Sequence, residues 1–197
     1  MPGLLRGTPA WTYFCVFLNG AGDRHRVRRA VKLSCPHTQG GAGRGRQALP
    51  DYARERLFAP LGIHDWEWMS DLRGRPLAFA GLRMRPYDLA KIGQLVLQRG
   101  AWNGRQLVPA DWIDASLRPH ADIGDGRHYG YQWWLGTTRA LGAEQPWAAA
   151  FGNGGQRLFL VPGLDLVVAL SAGMYNDEDG VVKVSRLLQR IAGAVAR

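Results

Sequence analysis

Residues 147–171 read WAAAFGNGGQRLFLVPGLDLVVALS: a glycine cluster, then two apolar runs separated by Pro162-Gly163. Apolar runs this short, bounded by glycine and proline, have the length of strands rather than helices. Pro162-Gly163 supplies turn chemistry, so residues 157–161 and 164–171 read as an antiparallel hairpin. Residues 129–135 and 147–151 have the same strand-like text, and the four segments together predict one antiparallel sheet.

Helical signals lie on both sides of these strands. Pro50 and Asp51 stand where a first helical turn tolerates them, and Pro60 ends the run that they open. A second helix begins at Pro86 with Asp88 near its positive end, carries Leu89, Ile92, Gly93 and Val96 along one face, and closes at Gly100. Pro109 opens a short helix through Trp112, Ile113 and Ser116 to the stop at Pro119. Asp177, Glu178 and Asp179 begin a last helix with Val181, Val184, Leu188, Ile191 and Val195 as its buried face. Helices, consecutive strands and a terminal helix predict an α+β fold, with helices packed on an antiparallel sheet.

Charge divides the chain in two. Residues 1–47 hold eight basic groups, among them Arg24, Arg26, Arg28 and Arg29, against the single acid Asp23. Residues 48–197 are nearly neutral, so most of the formal charge of +9 belongs to the leader. Between residues 20 and 47 neither a helical nor a strand period is present, which predicts a basic, non-native or disordered leader ahead of a domain at 48–197. The arginines could neutralise phosphates, but they lack interleaved aromatics and a binding fold, so no specific nucleic-acid partner is expected. The apolar stretch 10–18 is too short to span a bilayer and is followed by a poor cleavage signal, and no later run reaches membrane-spanning length. Cys15 and Cys35 form neither a metal spacing nor a redox pair, and the compartment stays open.

The chemistry-bearing feature is Gly152-Asn153-Gly154-Gly155-Gln156, between two strand candidates. Glycine weakens a strand, and there it marks a bend, a bulge or a close approach by a ligand or another backbone. The cluster lacks the Gly-Lys-Ser/Thr ending and the following helix of a phosphate loop.

Several segments, taken in order, resemble the C-terminal half of the serine hydrolases related to class C β-lactamases and penicillin-binding proteins, the 6-aminohexanoate-dimer hydrolases included. They are Tyr52-Ala53-Arg54-Glu55-Arg56-Leu57-Phe58-Ala59-Pro60-Leu61-Gly62-Ile63, and Gly81-Leu82-Arg83-Met84-Arg85-Pro86-Tyr87-Asp88-Leu89-Ala90-Lys91-Ile92-Gly93. Trp102-Asn103-Gly104 with Pro109 and Trp112, then Tyr129-Gly130-Tyr131-Gln132-Trp133-Trp134, and finally the glycine cluster continue the match. It covers about residues 48–197 and leaves out the leader. The resemblance implies a β-lactamase/transpeptidase-like fold and hydrolysis of a small-molecule amide or ester through a serine acyl-enzyme, without metal or organic cofactor. It also implies that Asn153, Gly154, Gly155 and Gln156 form the substrate and oxyanion strand. Either Gly152 or Asn153 takes the position that the family gives to Lys or His; with Asn153 there, the Gln156 N–H would serve the oxyanion.

A serine hydroxyl needs a neighbouring base, and the family supplies it as Ser-x-x-Lys with an assisting Tyr-x-Asn or Tyr-x-Ser. Neither motif is present. Ser34, Ser70, Ser116, Ser171 and Ser185 are followed three places on by His37, Arg73, Pro119, Met174 and Leu188. Tyr13 is followed two places on by Cys15, and Tyr175 by Asp177. The fold is therefore expected to be incomplete, without the helical half that bears the nucleophile, and the chain inactive. The alternatives are a noncatalytic binding or interaction module and a basic-tailed nucleic-acid binder. An exposed sheet face would invite self-association. The leader has the text expected of a shifted reading frame or misplaced start; upstream DNA in another frame is then expected to encode the two missing motifs.

Other residues have plainer explanations. Trp112, Trp133 and Trp134 are expected to serve packing, with Trp133 and Trp134 on opposite faces of a strand. His64, Asp65 and Glu67 read as a surface turn rather than metal ligands, and His120 and His128 as loop residues.

Overall fold

A computed structural model describes residues 12–14, 48–77, 80–176 and 178–195. The features expected of the leader, including Cys15, Cys35 and the arginine cluster, lie outside them; of that segment only the backbone strand β1 (Thr12–Phe14) is described. β1 and β2 (Trp66–Trp68) flank β3 (Leu82–Met84) in a three-stranded antiparallel sheet, with Tyr13 opposite Arg83.

The main sheet has six antiparallel strands in the order β11-β10-β9-β8-β7-β6. They are β6 (Ala121–Gly124), β7 (Arg127–Tyr129), β8 (Trp134–Ala140), β9 (Ala143–Phe151), β10 (Arg157–Val161) and β11 (Leu166–Leu170). Each pairs with its neighbour in the sequence, so the sheet is a meander of hairpins. A separate two-stranded ribbon joins β4 (Ala101–Trp102) to β5 (Arg105–Gln106).

The helices are α1 (Leu49–Ala53), continuing as a π turn over Arg54–Phe58, then α2 (Pro86–Leu97), α3 (Ala110–Ser116) and α4 (Glu178–Val195). Gly100 closes α2 as expected: at φ +84° it donates its N–H to Leu95 O at 2.8 Å. α2 packs on β10 and β11, and α4 packs against β8.

Strand alternation explains why one sheet can carry both layers. Leu158, Leu160, Ala148 and Ala150 cluster with Leu89, Leu95, Val96 and Ile113 of α2 and α3. Phe159, Val161 and Ala149, one residue out of phase, cluster with Val168 and with Leu188 of α4. All five residues of β10 are buried, as a strand covered on both faces requires. A fully buried Leu or Phe contributes about 1.5–3 kcal/mol, so this strand anchors the domain.

Some boundaries differ from those expected. The predicted strand at 129–135 is broken, because Gly130 to Trp133 form a turn in which Gln132 has φ +67°. A Cβ at Gly130 would collide with Ser116 O, so the glycine admits the end of α3 there. β6 and the hairpin at Leu141-Gly142 were not legible as apolar runs, since β6 and the far ends of β8 and β9 are largely exposed. On α4, Leu188 and Ala192 are buried; the side chains of Val181, Val184 and Val195 lie outside the description. Trp112 corrects its expected packing role: it is 56% exposed and stacks on Tyr131. Trp133 packs with the α2-side core while Trp134 stacks on Phe151, so the two do point to opposite sides.

Candidate functional site

The cluster at 152–156 is the turn that joins β9 to β10 beyond the last pair, Phe151 opposite Arg157. Gly152 donates its N–H to Gln156 O at 2.9 Å, and Gly155, at φ +83°, donates to Gly152 O at 3.2 Å. The left-handed conformation at Gly155 is one that a side chain would strain. Gly154 has a different reason: a Cβ there would stand 2.7 Å from the Tyr175 ring.

A second segment, residues 171–176 after β11, is stitched to this turn. Met174 donates its N–H to Gly154 O at 3.0 Å. Gln156 Nε2 donates to Ala172 O at 2.9 Å and to Tyr175 Oη at 3.3 Å, and Asn153 Nδ2 donates to Asn176 Oδ1 at 3.2 Å. The structure thus brings Asn153, Gly154, Gly155 and Gln156 into one turn but gives them different surroundings. Gln156 is 3% exposed and its side chain points to the adjacent segment, whereas Asn153 is only half-buried. The backbone N–H groups of Asn153, Gly154 and Gln156 meet no acceptor among the described residues. Uncommitted N–H groups of this kind are what a developing oxyanion requires.

The contribution of residues 171–176 was missed in the sequence, because hydrogen bonds across 16 to 23 residues leave no local signal. The buried setting of Arg157 was missed as well. Its Nη1 donates to Gly152 O and Gln156 O, both at 2.7 Å, and its guanidinium lies 4.4 Å from the centre of the Phe151 ring. Burial lowers its pKa to about 10.

Phe151 continues an aromatic row across the sheet, stacked on Trp134 at 5.3 Å, and Trp134 meets Tyr129 edge-on at 5.4 Å. Burial pushes the Tyr129 phenol up to about 12. Beside the Tyr129 end of this row, His120 donates its N–H to Tyr129 O at 2.9 Å, its ring lies flat on Tyr131 at 4.0 Å and its Nε2–H donates to Ala115 O at 2.8 Å, so His120 is part of an exposed ring stack rather than a loose loop. His128 pairs across the β7–β8 hairpin with Leu135.

No cluster of three potential metal-binding side chains exists among the described residues. Asp65 and Glu67 face Arg85 and Arg83 at 3.8 and 2.9 Å. A groove of about 400 Å³ lies on α4, lined by Met174, Lys183, Arg186, Leu187 and Arg190, and takes in none of residues 152–156. Among the described residues no helix is long and apolar enough to cross a membrane.

No protein-family model matches the sequence, and no curated protein is similar to it at a significant level. Solved structures do match. A Bacillus anthracis structure named for 6-aminohexanoate-dimer hydrolase aligns over 74% of this chain and 38% of its own, with 26% identity and a TM-score of 0.63. A Bacteroides dorei structure named for β-lactamase aligns over 70% of this chain and 49% of its own, at 16% identity and a TM-score of 0.53. A penicillin-binding protein of Bacillus halodurans does so over the same shares, at 16% identity and a TM-score of 0.50. The chain spans less than half the length of each of these structures, and over that span its α+β architecture is the one found in β-lactamase and penicillin-binding-protein structures.

Proposed function

We propose that residues 48–197 form one wall of a serine-hydrolase cleft of the β-lactamase-related type, with the turn at 152–156 as the substrate and oxyanion strand, and that this chain alone does not turn over amides or esters. The observation that carries this is the turn itself: Asn153, Gly154 and Gln156 hold N–H groups without described acceptors where β9 turns into β10, a strand buried on both faces. The partial likeness to a structure named for 6-aminohexanoate-dimer hydrolase supports an amide or ester as the bond such a wall would face. Inactivity follows from chemistry. Preplaced donors stabilise an oxyanion only after a nucleophile attacks, and the sequence has no Ser-x-x-Lys to generate one.

Nitrocefin and p-nitrophenyl ester assays on the purified chain test the proposal, with fluorophosphonate labelling alongside. The expected result is no turnover above buffer and no modified serine. Mapped labelling of Ser70, Ser116, Ser171 or Ser185 would overturn it.

A noncatalytic binding module is favoured by one separate feature, the exposed stack of Trp112, Tyr131 and His120, whose outer ring faces could hold a planar or sugar ligand. Self-association through sheet surface is a subsidiary proposal. Size-exclusion chromatography across protein concentration tests it, and a single concentration-independent monomer would reject it.

A further inference from the structure

We infer that Arg157 receives a small carboxylate, taken side-on by its Nε and Nη2 edge. Arg157 is 3% exposed, at the start of β10 where its four successors are all apolar and buried. The donors of a guanidinium are fixed in a plane, so which of them are occupied shows which edge is open. Nη1 is committed, to Gly152 O and Gln156 O. Nε is buried with no hydrogen-bond partner, and Nη2 has no acceptor among the described residues. The remaining donors therefore lie together on the side-on edge, whose spacing matches the two oxygens of a carboxylate, while the end-on edge is lost to the commitment of Nη1.

Electrostatics call for an anion at the same place. Two carbonyl oxygens and the face of Phe151 solvate the cation but carry no formal charge. Buried charges are ordinarily paired. Among the described residues, no carboxylate lies within ion-pairing distance of Arg157; the acids that do form pairs there, such as Asp88, Asp114 and Glu67, are matched to other cations. The leader is a poor source of the missing charge, with eight basic groups and one acid. The lowered pKa of the guanidinium is consistent with a cation that burial penalises and no acid compensates. This inference does not depend on the hydrolytic one, because it concerns the side chain of Arg157 and not the N–H groups of the turn.

The test uses the full chain labelled with ¹⁵N, following arginine Nε–H resonances during titration with sodium acetate, sodium chloride and acetamide at matched ionic strength. The Arg157 signal is assigned as the one lost in Arg157→Lys, whose fold is checked by far-UV circular dichroism, with Arg157→Met as the second assignment variant. One arginine Nε–H is expected to shift saturably with acetate and not with chloride or acetamide. A uniform drift of all arginine signals, an equal response to chloride, or no response overturns the inference. So does a wild-type signal that ignores acetate but responds once Asp177→Asn, Glu178→Gln and Asp179→Asn are combined, for then the chain's own acids fill the edge. Should neither Arg157 variant fold, the wild-type titration decides on the same criterion of a single saturable signal.

Discussion

The Lys91 ammonium stands 2.8 Å from the Asp88 carboxylate, which is fully buried, and also donates to Gly62 O at 2.9 Å. Arg85 donates to the other carboxylate oxygen at 2.9 Å. Lys91 thus ties α2 to the chain leaving the first helix, and Asp88 holds the ammonium that makes the tie, a larger role than the favourable helix-end charge that its position in the sequence suggests. Burial opposes ionisation of Asp88, but the hydrogen bonds from Lys91 and Arg85 outweigh it and hold its pKa below the usual carboxylate value. A carboxyl depressed in the fold stabilises the protein above its unfolded value, about 3.9, and that contribution is lost as pH falls through the lower folded value. Asp88→Asn is expected to cost about 1–3 kcal/mol at pH 7. Urea midpoints measured from pH 7 down to pH 3 should converge for wild type and variant at the acid end; a constant gap would show that charge is not the source.

α2 approaches the sheet at Gly93 more closely than a side chain allows. A Cβ at that position would meet Val167 Cγ1 at 2.6 Å and Leu158 Cδ1 at 2.8 Å. Gly93→Ala gains about 1 kcal/mol of helix propensity and loses a comparable amount to crowding, so its net effect is expected to be small. Gly93→Val adds two more carbons against buried neighbours and should destabilise by about 2–3 kcal/mol. Thermal melts of the two variants check the contrast, and a Val variant as stable as wild type would mean that α2 can lift from the sheet.

What the sequence made legible follows from where burial is periodic. Residues 157–161 are legible to the residue because four consecutive apolar residues, Leu158 to Val161, follow Arg157 up to the Pro162-Gly163 turn, and α2 is recoverable from Leu89, Gly93 and Val96. The strand expected at 129–135 joins the end of β7 to the start of β8 and leaves out Gly136 to Ala140 and all of β6, since a half-exposed stretch such as Gly136 to Arg139 carries no apolar pattern. In the candidate site, glycine clustering gave away the turn. Its closure by Ala172, Tyr175 and Asn176 depends on tertiary contacts between chain segments that share no motif.

Gln156 is the side chain on which that closure depends. Its amide holds Ala172 O and Tyr175 Oη from a buried position. Gln156→Ala removes both bonds and leaves the carbonyl of half-buried Ala172 without its donor, a change that should cost about 1–3 kcal/mol. The loss should be local as well as global, with faster proteolysis and amide exchange in residues 171–176 than in β10. Exchange rates that rise equally throughout the domain would show that the amide supports the whole sheet and not this closure.

Tyr129 offers the converse case, a polar atom that the fold would do as well without. Its hydroxyl is buried with no hydrogen-bond partner among the described residues, and so is Nε1 of its edge-on neighbour Trp134. Because burial raises the phenol from 10.0 to about 12, the protonated form is favoured in the folded state. Stability is therefore unaffected below pH 10 and falls as pH rises from there towards 12, where the unfolded chain ionises first. Tyr129→Phe keeps the ring contact and removes the orphaned hydroxyl. It is expected to be neutral or stabilising by up to about 1 kcal/mol at pH 7, with the advantage growing above pH 10. Guanidinium unfolding at pH 7 and pH 11 measures both. A clear loss of stability at pH 7 would mean that the hydroxyl has a hydrogen-bond partner in solution, such as an ordered water.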